Sequence, residues 1–106
     1  MQDIVKINYS LGTLTCTPLG DIDHHAEGKM RVKIDKAIYE YRPESLVIDF
    51  SSVGFTDSSC LGLIMGRKRL CEELSVKMSL CGISGELLSM LRLTGLISRF
   101  EILQKS

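Results

Sequence analysis

The chain has 106 residues, of which 44% are hydrophobic and 25% are charged, and thirteen basic residues balance thirteen acidic ones. This length and composition predict one ordinary globular domain spanning residues 1–106, because the chain is too short for two independent cores. Phosphate binding depends on cationic charge, so a net charge of zero argues against nucleic acid as the main partner.

No targeting or membrane-spanning pattern is visible in the sequence. The N-terminal MQDIVKINY lacks a charged flank followed by an apolar stretch, and no apolar run approaches the length of a membrane helix. The cysteines form no CxxC or Cys/His ligand pattern: Cys16, Cys60, Cys71 and Cys81. We therefore expect a cytoplasmic protein with reduced, mostly buried thiols, without a cofactor, a metal or a membrane partner.

The first unit predicted from the sequence is a β-hairpin. Polar and apolar side chains alternate over residues 5–9 and again over residues 13–19, and residues 10–12 supply a turn between them. Pro18 has no backbone N–H to donate, so it marks a strand end or an edge position.

A helix is predicted for residues 24–41, where apolar residues recur at steps of three and four. Asp23 is placed to cap its first turn. Pro43 ends the helix because it pushes the preceding residue out of helical geometry. Two ion pairs between residues four apart are expected on its solvent face: Arg31–Asp35 and Lys36–Glu40.

A second helix is predicted for residues 58–74, after a short apolar strand at residues 45–50. Its charged residues, among them Arg67, are expected largely on the side opposite its apolar stripe. Gly62 and Gly66 lie four residues apart, so they share a helix face where a neighbouring backbone can approach closely.

The rest of the chain continues the alternation of strand and helix. Residues 76–81 form the next strand, Ser84 is the predicted N-cap of a third helix, and residues 94–96 end that helix around a glycine. Residues 99–103 form a last strand. The order predicts an α/β domain with a mixed, mostly parallel sheet, an antiparallel N-terminal hairpin, and helices packed against the sheet.

Two short motifs resemble ligand sites but fail on spacing. Asp23-His24-His25 resembles the motif of DHH phosphoesterases, yet these are the only histidines, and adjacent helical residues point about 100° apart. Gly62 and Gly66 are one residue too close for the phosphate loop GxxxxGK[ST] and lie inside a predicted helix. We expect neither a metal site nor a phosphate loop.

Residues 55–62, FTDSSCLG, place four hydrogen-bonding side chains between a strand and a helix: Thr56, Asp57, Ser58 and Ser59. Asp57 or Ser58 is suited to cap the helix. Capping needs only one such residue, so a surplus hydroxyl remains for phosphorylation, which a helix N-terminus tolerates. Catalysis by Ser58 or Cys60 is disfavoured because the sequence places no histidine in reach and has no G-x-S-x-G motif.

Three segments resemble a known family. LVIDFSSVGFTDSSCLGLIMGRKRL resembles the signature of STAS domains, the anti-sigma factor antagonists of bacteria. LGDIDHHAE is similar to the strand-to-helix segment of the sporulation branch of that family, and CGISGELLSMLRLTGL is similar to its third helix. The resemblance covers nearly the whole chain, and three motifs in order at these spacings are specific.

The resemblance implies a regulator that binds an anti-sigma factor, itself a serine kinase using ATP, and so releases the sigma factor and activates transcription. The kinase would phosphorylate Ser58, the serine after the aspartate, and a phosphatase would reverse this. The free protein would be a monomer. The implied partner-binding residues are Asp23, Thr56, Asp57, Ser58, Ser59, Cys60 and Leu61.

The chain departs from the family pattern in its polar segment. Cys60 stands where the family usually has glycine, and its side chain is expected to crowd the approach to Ser58; Thr56 replaces a more usual apolar residue. Two alternatives remain open. One is a STAS scaffold in a stress-signalling or transporter-associated complex, and the other is a small hydrolase or transferase using Ser58 or Cys60.

Overall fold

The computed structural model describes residues 3–83 and 85–104, so the predicted cap Ser84 lies outside the described residues. The elements follow the predicted order, with one additional 3₁₀ helix that takes up Arg99, a residue expected in the last strand. The elements are β1 (Val5–Ser10), β2 (Thr13–Pro18), α1 (His24–Tyr41), β3 (Ser45–Asp49), α2 (Ser59–Leu74), β4 (Lys77–Cys81), α3 (Gly85–Leu93), the 3₁₀ helix (Leu96–Arg99) and β5 (Glu101–Leu103).

The strands form one five-stranded sheet in the order β1-β2-β3-β4-β5. β1 and β2 pair antiparallel, with Ser10 opposite Thr13, and the other neighbours pair parallel. Leu11 and Gly12 close the hairpin, both with positive φ, as a tight two-residue turn requires. The predicted α/β class with a mixed sheet and an antiparallel N-terminal hairpin is confirmed.

The helices lie together on one face of the sheet. From β2 to β5, each strand is followed by a helix and then by the neighbouring strand, always in the same direction across the sheet. Because such crossovers are right-handed, all of their helices lie on the same face of the sheet. On β2, Leu14 and Cys16 are buried beneath the helices, whereas Thr15 and Thr17 on the other face are partly exposed. No helix in the described part of the chain is long and apolar enough to cross a membrane.

The prediction that Arg67 lies on the exposed side of α2 is wrong, because its side chain is buried and the residue is only 5% exposed. Its Nε lies 2.7 Å from Asp35 Oδ1, close in distance but not aligned for a hydrogen bond, and its Nη1 donates to the Leu63 carbonyl. Burial raises the pKa of Asp35 and lowers that of Arg67, although their attraction opposes both shifts. Neither ion pair predicted along α1 forms among the described residues, and Asp35 instead links α1 to α2.

Candidate functional site

The candidate site lies where the chain leaves β2 and β3, two parallel neighbours whose carboxyl ends meet at one edge of the sheet. The segments after these strands pair through a bridge between Ile22 and Thr56. The Ile22 amide donates to the Phe55 carbonyl at 2.9 Å, and the Asp57 amide donates to the Ile22 carbonyl at 3.2 Å. Both chains then enter helices, so α1 and α2 begin side by side.

In the polar segment 56–59, the residue that caps α2 is not the residue that is exposed. Asp57 Oδ1 accepts the Ser59 amide at 2.8 Å, and the Asp57 carbonyl accepts the Cys60 amide at 3.1 Å. Ser58 stands at the N-cap position in helical geometry, is exposed, and makes no capping hydrogen bond with its side chain. Of the two candidate caps, Asp57 therefore performs this role, and the Ser58 hydroxyl is not committed to it.

Two predicted partner-binding residues, Thr56 and Cys60, are buried, with exposures of 4% and 0%. The Thr56 hydroxyl donates to the Asp57 carbonyl at 3.2 Å. Burial raises the pKa of the Cys60 thiol to about 11, so it is neutral and inaccessible as a nucleophile. Because Cys60 points into the core, the expectation that it crowds the approach to Ser58 is wrong.

Asp23 caps α1, as predicted. Its Oδ1 accepts the amides of Ala26 at 2.8 Å and His25 at 3.0 Å. The Ala26 hydrogen bond is the main reason that the pKa of Asp23 is lowered, and the nearby imidazoles act in the same direction. Asp23 directly follows the bridge between Ile22 and Thr56, so its carboxylate stands at the same edge of the domain as Ser58.

The two histidines lie closer together than their helical positions predict. The rings of His24 and His25 are 4.0 Å apart between centroids and tilted by 36°, so the expected divergence of the side chains is wrong. Within residues 3–83 and 85–104, however, no group of three or more His, Cys, Asp or Glu side chains is arranged to hold a metal ion.

The two glycines of α2 face open space. A Cβ built on Gly62 or on Gly66 meets no heavy atom within 4 Å. The predicted close approach of a neighbouring backbone within the fold is therefore wrong. The glycines instead leave a shallow, smooth strip on α2 that begins one turn after Ser58.

Phe55 is a candidate surface residue that the sequence reasoning missed. Its side chain is 51% exposed, three positions before Ser58, beside a hollow of about 230 Å³ between this segment and the start of α3. Its amide donates to Asp21 Oδ1 at 2.9 Å, which fixes the backbone there. The signal in the sequence that could have identified Phe55 is its position as an aromatic residue within a polar loop.

These features define a small α/β domain whose distinctive surface is an exposed serine at the start of a helix, supported from beneath by buried residues of the same loop. The STAS domain family matches residues 5–106. The chain belongs to that family.

Proteins of described function are similar along nearly the whole chain. An anti-sigma F factor antagonist from Paenibacillus polymyxa is 29% identical over 98 residues, covering 92% of this chain and 84% of the relative. The anti-sigma factor antagonist SpoIIAA, solved in its unphosphorylated form, is 25% identical with a TM-score of 0.81, covering 96% of this chain and 88% of that one. The Bacillus cell fate determinant SpoIIAA, solved in the phosphorylated form, is 25% identical with a TM-score of 0.76, covering 96% and 91%.

Proposed function

We propose that this chain is an anti-sigma factor antagonist that binds an anti-sigma factor serine kinase and is inactivated by phosphorylation of Ser58. The observation that carries the proposal is the exposed Ser58 side chain, which makes no capping bond because Asp57 performs the capping. The similarity to named antagonists, one of them solved with and without phosphorylation, supports it. Binding would release the sigma factor in the cytoplasm and activate transcription.

The docking surface in this proposal is centred on Ser58. Ser59 and Leu61, each half-buried, lie on the same first turn of α2, and Asp23 and Phe55 flank it from the paired segments. Together they offer an aromatic side chain, a type enriched at interfaces, and hydroxyls and a carboxylate that can form directional hydrogen bonds.

Thr56 and Cys60 act from beneath this surface, since their burial leaves them nothing to present to a partner. Thr56 continues the pairing with Ile22, and Cys60 anchors the first turn of α2 in the core. Their part in recognition is to hold Ser58 outward.

The covalent step moves a phosphoryl group to Ser58. The Ser58 oxygen attacks the terminal phosphorus of ATP, a new O–P bond forms, the bond to the bridging oxygen breaks, and ADP leaves. The hydroxyl proton passes to a base of the kinase. A serine phosphatase then hydrolyses the ester with water and releases inorganic phosphate.

Phosphate would weaken docking through charge. The group adds a charge of about −1.5 to −2 beside the carboxylate of Asp57, at a surface that must lose water when the partner binds. A penalty of about 3 kcal/mol would lower the affinity roughly a hundredfold. The fold itself tolerates the charge because Ser58 is exposed at a helix N-terminus.

Incubation with the anti-sigma factor kinase of the source organism and ATP, followed by mass spectrometric mapping, tests the proposal. We expect one phosphate, on Ser58. Ser58→Ala should abolish incorporation, whereas the neighbouring control Ser59→Ala should retain it. Incorporation that persists in Ser58→Ala would refute the assignment of the acceptor, and failure of the unmodified protein to bind the kinase would refute the function.

A further inference from the structure

A cationic groove lies on the exposed side of α2, away from Ser58. It is an open depression of about 480 Å³ lined by five residues: Met65, Lys68, Arg69, Glu72 and Arg99. Arg99 reaches it from the 3₁₀ helix, so the groove joins two elements that are far apart in sequence. Three of its five lining residues are cations and one is an anion.

The cations of this groove lack protein counterions. Among the described residues, no carboxylate lies within 4.0 Å of the charged nitrogens of Lys68, Arg69 or Arg99. Lys68 Nζ instead lies 5.0 Å from the centre of the buried Phe100 ring, where a cation–π contact orients it. The groove is therefore a positively charged surface with an apolar component from Met65.

The groove continues the helix face that carries Ser58. At 100° per residue, Ser58, Gly62, Met65 and Arg69 fall within about 60° of one another around the axis of α2. Ser58 and Arg69 are separated by about 16 Å along that axis, a span that one ordinary interface covers. No side chain interrupts the strip at Gly62, because its Cβ position is open.

Charge is distributed unevenly along this face. Asp57 lies at the Ser58 end, with Asp23 beside it, whereas Lys68, Arg69 and Arg99 lie at the other end. A partner that covers the groove must place carboxylates opposite its three cations. Such complementary patterns fix the register of a complex and accelerate its formation.

We propose that the groove formed by Met65, Lys68, Arg69, Glu72 and Arg99 binds an acidic segment of the anti-sigma factor, as a second contact of the docking surface. This inference rests on the proposed function, since it requires that partner. An acidic protein segment fits better than nucleic acid because three cations, accompanied by Glu72, neutralise few phosphates.

The test compares two charge-reversed variants of the full chain. Arg69→Glu/Arg99→Glu alters the groove, and Lys36→Glu/Lys77→Glu makes the same change in net charge at exposed positions outside it. Association with the anti-sigma factor kinase in the presence of ADP is measured at low and high salt. We expect the groove variant to lose about tenfold in affinity, mainly through slower association, and to show a weaker salt dependence than the control. Equal affinities and equal salt dependences in the two variants would overturn the proposal.

A second comparison separates this inference from the proposed function. Ser58→Glu and the groove variant alter sites more than 10 Å apart, so their effects on the binding free energy should add.

If the wild-type protein does not bind the kinase, the proposed function fails; if it binds and the groove variant matches the control, only the groove proposal fails. Binding of inorganic phosphate or of a single-stranded oligonucleotide that the groove variant abolishes, with kinase binding unchanged, would also overturn it. Circular dichroism and thermal melting of both variants show whether the fold is retained.

Discussion

Gly82 provides the sharpest test of how the candidate site is supported. It follows β4 with a φ of +68°, and a Cβ built on it lies 2.6 Å from the Ser51 amide nitrogen and 2.7 Å from Asp49 Oδ1. The Ser51 amide donates to Asp49 Oδ1 at 2.9 Å, at the start of the loop that leads to Ser58. Gly82→Ala must therefore adopt left-handed backbone geometry and also displace the backbone of Ser51.

The two costs can be estimated separately. Left-handed geometry for alanine costs about 1–2 kcal/mol, and forcing an extra carbon into a packed site costs about 1–3 kcal/mol. We expect Gly82→Ala to lose about 2–5 kcal/mol of stability, which corresponds to a Tm lower by about 10–25 °C. Chemical denaturation and thermal melting measure this loss.

Gly95→Ala is the matched control for this prediction. Gly95 has a φ of +76°, but its Cβ position has no heavy atom within 4 Å. It should therefore show only the conformational cost of about 1–2 kcal/mol. Equal losses in the two variants would refute the close approach of Gly82 to Ser51.

Three further predictions concern charged residues. Asp35→Ala should lower the free energy of unfolding, measured by chemical denaturation, by about 3 kcal/mol, because it leaves Arg67 buried without a counterion. A loss below about 1 kcal/mol would show that the guanidinium is hydrated. Asp57→Ala should lower the free energy of unfolding by about 1 kcal/mol, because it removes the acceptor of the Ser59 amide. Asp57→Asn retains an acceptor and should lose much less stability. Equal losses in the two variants would contradict the capping role. The pKa of Asp23 is lowered by capping, so its contribution to stability is present above its unfolded pKa of about 3.9 and is lost as pH falls through its folded pKa. Asp23→Asn should accordingly lose less stability than wild type on acidification below about pH 4, and parallel pH profiles would contradict this.

The predictions from sequence succeeded where the signal was local. The bounds of α1, His24–Tyr41, agree with the predicted range because Asp23 and Pro43 mark its two ends within a few residues. The hairpin turn was recognisable from Gly12, whose φ is +83°. The order of strands and helices, and hence the mixed sheet, followed from these local signals together with the hand of the crossovers.

The errors arose where a side chain's environment depends on a distant element. The charge of Arg67 favoured a surface position, although its spacing from Leu63 and Cys71 places it on the buried face of α2, where Asp35 of α1 pairs with it. Gly62 suggested a close contact, but nothing in the described fold covers that face. Cys60 was expected to obstruct the surface, whereas the turn entering α2 directs it inward. For Gly62 and Cys60 the sequence indicated a special position but not which way it faces.

The arrangement around Ser58 explains how a modification at this position can leave the fold intact. A residue that caps a helix cannot be altered without destabilising it, and a buried residue cannot reach a kinase. Here Asp57 supplies the cap and Thr56 and Cys60 anchor the segment in the core, so Ser58 carries neither duty. The added phosphate would then act on the surface that meets the partner, at the positive end of the α2 dipole, where negative charge is favourable to the helix. In the proposed function, that separation of structural and exposed residues within five consecutive positions would allow the affinity for a partner to change while the stability of the domain stays nearly constant.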